Sequence, residues 1–408
     1  MKGRQIILDT VEGREVAALM VDGRLHDIFV DAEGARVGAI YRAKADKPQK
    51  GQGGIFVTTP EGPMFLKQVK GLSPGQSLLV QVTSHAEESK ALPVTDRLLF
   101  KSRYAIVTPG APGVNVSRQI KDDERRDALL ALAHDAFDMD SAGLILRSSG
   151  ETGPDDEIVE DIRAMADLAT AILADGEGDA EALIEGDGPH ALAWREWVEP
   201  AEVITEPGGF ETHGVLDALT RALDPVVPLQ HGHTMIIEAT RALVAVDVNT
   251  GTDTSPAAAL KANLNAAREL PRQLRLRGLG GVIVMDLASL PKKERRAFEM
   301  SLKAAFRSDP VETILAGFTP LGNYELQRHR IRVPVAEARK TVDPGGRWVL
   351  NGDRGVSYAV TLPEGAVITE GEWWDADYAG PPVVSFSAEE GAELGLRIGD
   401  TVSVNILG

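Results

Sequence analysis

Asp247 and Asp286 are the residues whose type and placement most suggest chemistry. Each ends a run of apolar residues, ALVAVD and GVIVMD, that reads as a buried strand. In α/β sheets, ligands and catalytic groups collect at the carboxyl ends of strands, where loops open to solvent. Two carboxylates converging there repel unless a cation sits between them. An all-oxygen site suits Mg²⁺, which binds through one or two carboxylates, water and substrate phosphate. Asn249 lies two residues past Asp247, shares its face on a strand, and can orient a carboxylate or bond a phosphate. The alternative is that each Asp only stops a strand and opens a turn. Both readings are open at this level.

The elements around the pair follow from pattern. Residues 256–277, PAAALKANLNAARELPRQLRLR, have the spacing of a long basic helix. Arg268, Arg272 and Arg275 fall on one face of it by their three- and four-residue spacing. That row can grip a phosphate backbone or form a solvated face. TMIIEA and ALVAVDVN read as paired strands, GGVIVMDLA and TILAGF as further strands, and KKERRAFEMSLKAAFRSD as a second basic helix. Alternation of strand and helix predicts an α/β layer. Upstream, REVAALMVDGRLHDIFV predicts a hairpin turning at Asp22-Gly23. Residues 35–100 hold short strand-like runs punctuated by Gly and Pro, which predicts a small barrel. Residues 101–150 predict two strands around the helix DDERRDALLALAHDAF, followed by a helix EDIRAMADLATAILADG and another over 210–224.

A chain of 408 residues with 43% apolar residues can build two to four domains. It has no cysteine, so disulfides and thiolate metal sites are excluded. It has no apolar run of spanning length and no secretory-type start, so a cytoplasmic protein is expected. The net charge of −18 argues against a polyphosphate partner when taken alone. Its distribution does not: residues 151–190 carry thirteen acids against one base, whereas residues 261–307 carry eleven bases against four acids. Screening within about 10 Å makes the local sign the one a phosphate feels.

Taken together, ALVAVDVNTG and NLNAARELPRQLRLRGLGGVIVMDL resemble the catalytic core of the ribonuclease E/G family. PLGNYELQRHR resembles a further family segment, with Gln327 where a hydroxyl residue is usual. The resemblance implies a Mg²⁺-dependent endoribonuclease for single-stranded RNA rather than DNA. Asp247 and Asp286 would be its metal ligands, and Asn249 an orienting residue. It implies an α/β and α+β multidomain fold. Residues 1–34 and 190–240 would form a split ribonuclease-H-like subdomain. An OB-type barrel over 35–100 would contact RNA through Phe56, Phe65 and Lys90. A 5′-sensor region over 101–189 would hold a terminal monophosphate at Arg147 and Ser148. A deoxyribonuclease-like catalytic α/β subdomain would span 241–341. The family's larger members join protomers through a Cys-Pro-x-Cys zinc link, so a homo-oligomer of this chain would form without one. Residues 347–408, with GEWW and LGLRIGDTVSVNILG, resemble part of the extracytoplasmic domain of FtsX-like permeases and predict a small β-rich unit.

Overall fold

The structure, a computed structural model, describes residues 3–31, 33–47, 53–67, 71–86, 90–138 and 142–336, then 367–373 and positions 378, 383, 385 and 398. The chain forms two compact units, Met1–Val335 and Ala336–Gly408. The β-rich reading of residues 347–408 lies almost wholly outside the described residues.

The first unit begins with an antiparallel meander, β1 (Arg4–Val11), β2 (Arg14–Val21) and β3 (Arg24–Val30). Two-residue turns at Glu12-Gly13 and Asp22-Gly23 join them, with all four residues at positive φ. That backbone matches the twist of the flanking strands, which is why Asp-Gly closes a hairpin so readily.

The chain then closes a barrel from β4 (Ile40–Ala45), β5 (Gly54–Thr59), β6 (Gly62–Lys67), β7 (Ser77–Val82) and β8 (Leu92–Thr95). The order is β4-β5-β6-β8-β7, and β7 pairs back onto β4. Alternate residues point inward, so Ile55, Val57, Met64, Leu66, Val80 and Val94 fill the interior. This is the expected OB-like barrel.

Next come β9 (Phe100–Lys101), β10 (Ala105–Pro109) and β11 (Gly113–Val116), then α1 (Asp123–Ala136), β12 (Ala142–Leu146) and α2 (Asp155–Ala174). The Asp122 side chain accepts the Arg125 amide and starts α1. Leu129, Ala133, Ile158 and Ile162 from the two helices pack on Val107, Leu144 and Leu146. The following segment returns to earlier sheets: β13 (Glu181–Ile184) pairs with β4, and β14 (Glu202–Ile204) pairs parallel to β1. Between them lies α3 (Pro189–Glu196). Next, α4 (Gly209–Thr212) and α5 (Val215–Leu223) put Phe210, Val215 and Ala222 against Ile7, Ala18 and Ile28. Residues from both ends of the proposed split subdomain thus share one core.

The last sheet comprises β15 (Val226–Pro228), β16 (Thr234–Ala239), β17 (Val244–Asn249), β18 (Gly281–Asp286), β19 (Thr313–Phe318) and β20 (Tyr324–Arg328). Its order is β15-β16-β17-β18-β20-β19. Only β17 and β18 are parallel, and α6 (Pro256–Arg277) makes the crossover between them. The sheet begins at Val226 rather than near 241, because β16 pairs with β17 and β15 pairs with β16. Both α6 and α7 (Arg295–Arg307) cover one face, where Val246, Ile283 and Met285 meet Ala266, Leu270, Leu274, Phe298 and Leu302. Gly278 ends α6 in the left-handed conformation, and a Cβ there would meet the Val333 carbonyl.

Neither reading of the arginine row on α6, a phosphate grip or a solvated face, holds for the whole row. The arginine row of α6 is not a free phosphate grip. Arg272 donates to the Leu25 carbonyl at 2.8 Å, and Arg275, 6% exposed, pairs with Asp309. The cause is packing: β3 lies on the face of α6 that the pattern left to solvent. Arg268 alone of the three is exposed. Among the described residues, no helix is long and apolar enough to cross a membrane.

Candidate active site

The parallel register of β17 and β18 sets Asp247 opposite Asp286. Neighbouring strands lie about 4.8 Å apart and residues in register point to the same face. Both acids are exposed, on the sheet face opposite α6 and α7. The Asn249 amide donates to Asp247 Oδ2 at 2.7 Å, as two-residue strand spacing allows. These three candidates are therefore brought together. Among the described residues no cation pairs with either carboxylate, so none of those residues offsets their repulsion. Nor does any group of three or more His, Asp or Glu converge there among the described residues. A hard divalent cation fits such a pair, with water and substrate oxygens supplying the remaining ligands.

Asn323 lines the same pocket as Asp247, Asp286 and Glu238. Because Met285 pairs with Tyr324 in antiparallel register, the next position outward sets Asn323 beside Asp286. Sequence pattern did not single it out. It carries no local signal, and only the pairing of β20 with β18 brings it to the acids.

On the barrel, Phe56 and Phe65 are cross-strand partners on β5 and β6. Their ring centroids are 5.3 Å apart and nearly edge-to-face. Both are half-buried and stand outside the barrel interior. The Phe65 ring lies across Gly54, where a Cβ would come within 2.7 Å of it. Lys90 is exposed two residues before β8, the strand that pairs with Phe65 through Pro93.

Arg147 follows β12 and precedes a short 3-10 turn that starts at Ser148. Ser148 is half-buried beside it. The guanidinium is already engaged: Nη1 donates to the Ser102 carbonyl at 2.5 Å and Nη2 to Glu196 Oε2 at 2.6 Å. Glu196, the last residue of α3, also accepts Lys101 Nζ at 2.7 Å and Arg195 Nε at 2.8 Å. Nothing in the local sequence marked Glu196, since apart from its neighbour Arg195 its partners are Lys101 of β9 and Arg147 just after β12.

The profile described as the ribonuclease E/G family matches residues 100–199 and 195–331, a span that contains the acid pair and its crossover helix. The chain belongs to the ribonuclease E/G family. It is 28% identical over 385 residues to ribonuclease E of Nostoc sp., covering 80% of this chain and 56% of that protein. The ribonuclease E of Synechocystis sp. is likewise 28% identical, with 80% and 57% covered. The chain thus spans little more than half the length of these two relatives. Ribonuclease G of Salmonella typhimurium is 25% identical, over 98% of this chain and 96% of its own length. That alignment takes in most of residues 347–408, so the permease resemblance of the tail has no support from these matches. It runs over 484 positions, more than the chain has residues, so gaps fall in this member of the ribonuclease E/G family.

In this ribonuclease E/G family member, burial pushes the Glu196 carboxyl up, but Lys101, Arg147 and Arg195 outweigh it and hold it down at about 2. A carboxyl depressed on folding stabilises the fold above its unfolded pKa, near 4.5, and loses that contribution as pH falls towards about 2. The shift corresponds to about 3 kcal/mol at neutral pH. The melting difference between wild type and Glu196→Gln should therefore shrink as pH falls from 5 to 3. A gap that is constant across this range would remove the ion cluster as its source.

Proposed function

We propose that the chain is a Mg²⁺-dependent endoribonuclease that cleaves single-stranded RNA in cytoplasmic RNA processing or decay. The observation that carries this reading is the in-register pair Asp247 and Asp286, steadied by Asn249, inside the family-matched span. Asp247 and Asp286 would hold the cation. When bound, Mg²⁺ supplies charge stabilisation at the scissile phosphate and a more acidic water. Asn249 fixes the Asp247 carboxylate through its hydrogen bond, and Asn323 closes the Asp286 side of the pocket. In the hydrolysis, water oxygen bonds to phosphorus and the bond to the 3′-oxygen breaks. The products carry 5′-phosphate and 3′-hydroxyl ends.

Phe56 and Phe65 offer ring faces on which bases of a single strand can stack, and Lys90 offers a charge to its backbone. Arg147 and Ser148 stand where a 5′-monophosphate would be held, with Arg147 Nη2 already bonded to Glu196. The relatives named ribonuclease E and ribonuclease G support the reaction class.

The test is incubation of the full chain with an end-labelled single-stranded oligoribonucleotide. Internal cleavage is expected with Mg²⁺, and none after EDTA. Tight RNA binding without cleavage would replace the enzyme with an RNA-binding relative of the same fold. Cleavage that ignores EDTA would remove the metal from the proposal.

A further inference from the structure

We propose that Glu196 is a built-in anion that occupies the Nη2 donor of Arg147 in place of a terminal phosphate, Nη1 being held by the Ser102 carbonyl, and so makes this chain indifferent to the 5′ end of its RNA. The inference rests on the reading of Arg147 as a phosphate-binding residue and adds the residue that sets its specificity.

Three cations meet on one carboxylate. Arg147 takes Oε2 at 2.6 Å, and Lys101 and Arg195 take Oε1 at 2.7 and 2.8 Å. Both carboxylate oxygens are used, with distances that charge-assisted bonds to phosphate oxygens would also show. The Arg147 and Glu196 side chains are only 16% and 17% exposed. The other carboxylate on this cluster is Asp187, which pairs with Arg195. Three positive charges thus face two negative ones, and the site has the sign and the donors for a phosphate monoester.

The neighbourhood suits a nucleotide end as well. Arg103 lies over the Trp194 ring at 5.2 Å, and Trp194 is 57% exposed. An exposed indole beside a cationic cluster can stack a terminal base. A tethered carboxylate nonetheless has the advantage over a free ligand. It acts at an effective concentration that is millimolar or higher, and it avoids most of the translational and rotational loss of association. A 5′-phosphate must therefore displace Glu196 before Arg147 can hold it.

A purely structural role for the cluster, tying α3 to β9 and β12, predicts no effect on end preference. Binding separates the two. The probe is a 3′-labelled, 2′-O-methylated oligoribonucleotide carrying either a 5′-phosphate or a 5′-hydroxyl, titrated by anisotropy against the full chain. Wild type should bind both forms alike. Glu196→Gln should prefer the 5′-phosphate by about ten-fold, the equivalent of one charge-assisted hydrogen bond at about 1.4 kcal/mol per decade. Adding Arg147→Ala should return the ratio to one. If Glu196→Gln does not fold, Glu196→Asp keeps the charge, shortens the reach, and should show a smaller preference of the same sign.

A wild type that already prefers the phosphate ten-fold overturns the proposal. So does a variant that gains equally for both ends, since that is general electrostatics, or one that gains nothing. A parallel assay with cleavable RNA keeps the two readings apart. Absence of cleavage counts against the nuclease, whereas the binding ratio reports on Glu196 alone.

Discussion

Asp247→Asn or Asp286→Asn is expected to lower RNA cleavage about 10³-fold, because a metal's Lewis-acid role is worth several kcal/mol and each decade of rate costs about 1.4 kcal/mol. The fold should hold. Both acids are exposed, Asp247 within β17 and Asp286 at the end of β18, outside the core that faces α6 and α7. Asn has the same shape as Asp, and no ion pair among the described residues is lost by the exchange. Removing one of two like charges in register also relieves repulsion, so the melting temperature should stay level or rise slightly. Single-turnover cleavage in Mg²⁺, run beside a thermal melt, reads both effects. A variant that cleaves within a few-fold of wild type would remove that acid from the metal site. A variant that loses activity only because it unfolds would return it to the role of a strand-ending turn residue.

What the sequence disclosed about this site was local. The helix over 256–277 coincides with α6, because Ser255 caps its start, Pro256 opens it and Gly278 stops it. The hairpin at Asp22-Gly23 was legible because Asp-Gly accepts positive φ at both turn positions. The two acids were legible because each interrupts an apolar run. The remainder depended on pairings between distant segments. β20 was noticed only as a family segment, although its register with β18 is what brings Asn323 to the acids. The boundary near 240 separated β16 from β17 although the two read as paired, and nothing local shows that β15 joins the same sheet. The same limit explains the arginines of α6. Helical spacing identifies a common face but not what covers it, and here β3 and Asp309 do.

Asp309→Asn should destabilise the first unit by about 3–5 kcal/mol, the usual cost of removing one partner from a buried charge pair. The Asp309 side chain is fully buried between two guanidiniums, Arg275 and Arg328, themselves 6% and 1% exposed. Arg328 Nη2 lies 2.9 Å from Asp309 Oδ1, and the same oxygen accepts the Val311 amide at 2.9 Å. The network continues to Asp27, 4.0 Å from Arg275, which takes both terminal nitrogens of Arg332 at 2.8 and 2.9 Å and the Trp197 indole at 3.1 Å. It therefore ties α6 and β20 to β3 of the N-terminal sheet. Burial pushes the Arg328 guanidinium down from its usual range, and Asp309 is the main influence opposing that. An asparagine there would leave two buried cations without their shared anion. The pairing, rather than mere size or shape, is the stabilising feature, and this can be separated. Asp309→Asn combined with Arg328→Met removes a charge from each side and should recover part of the loss, because replacing both partners costs less than breaking the pair. Urea denaturation of wild type, single and double variants measures this directly. A single variant within about 1 kcal/mol of wild type, the range typical of exposed ion pairs, would show that the sheet containing β20 is held to the N-terminal sheet by apolar packing alone.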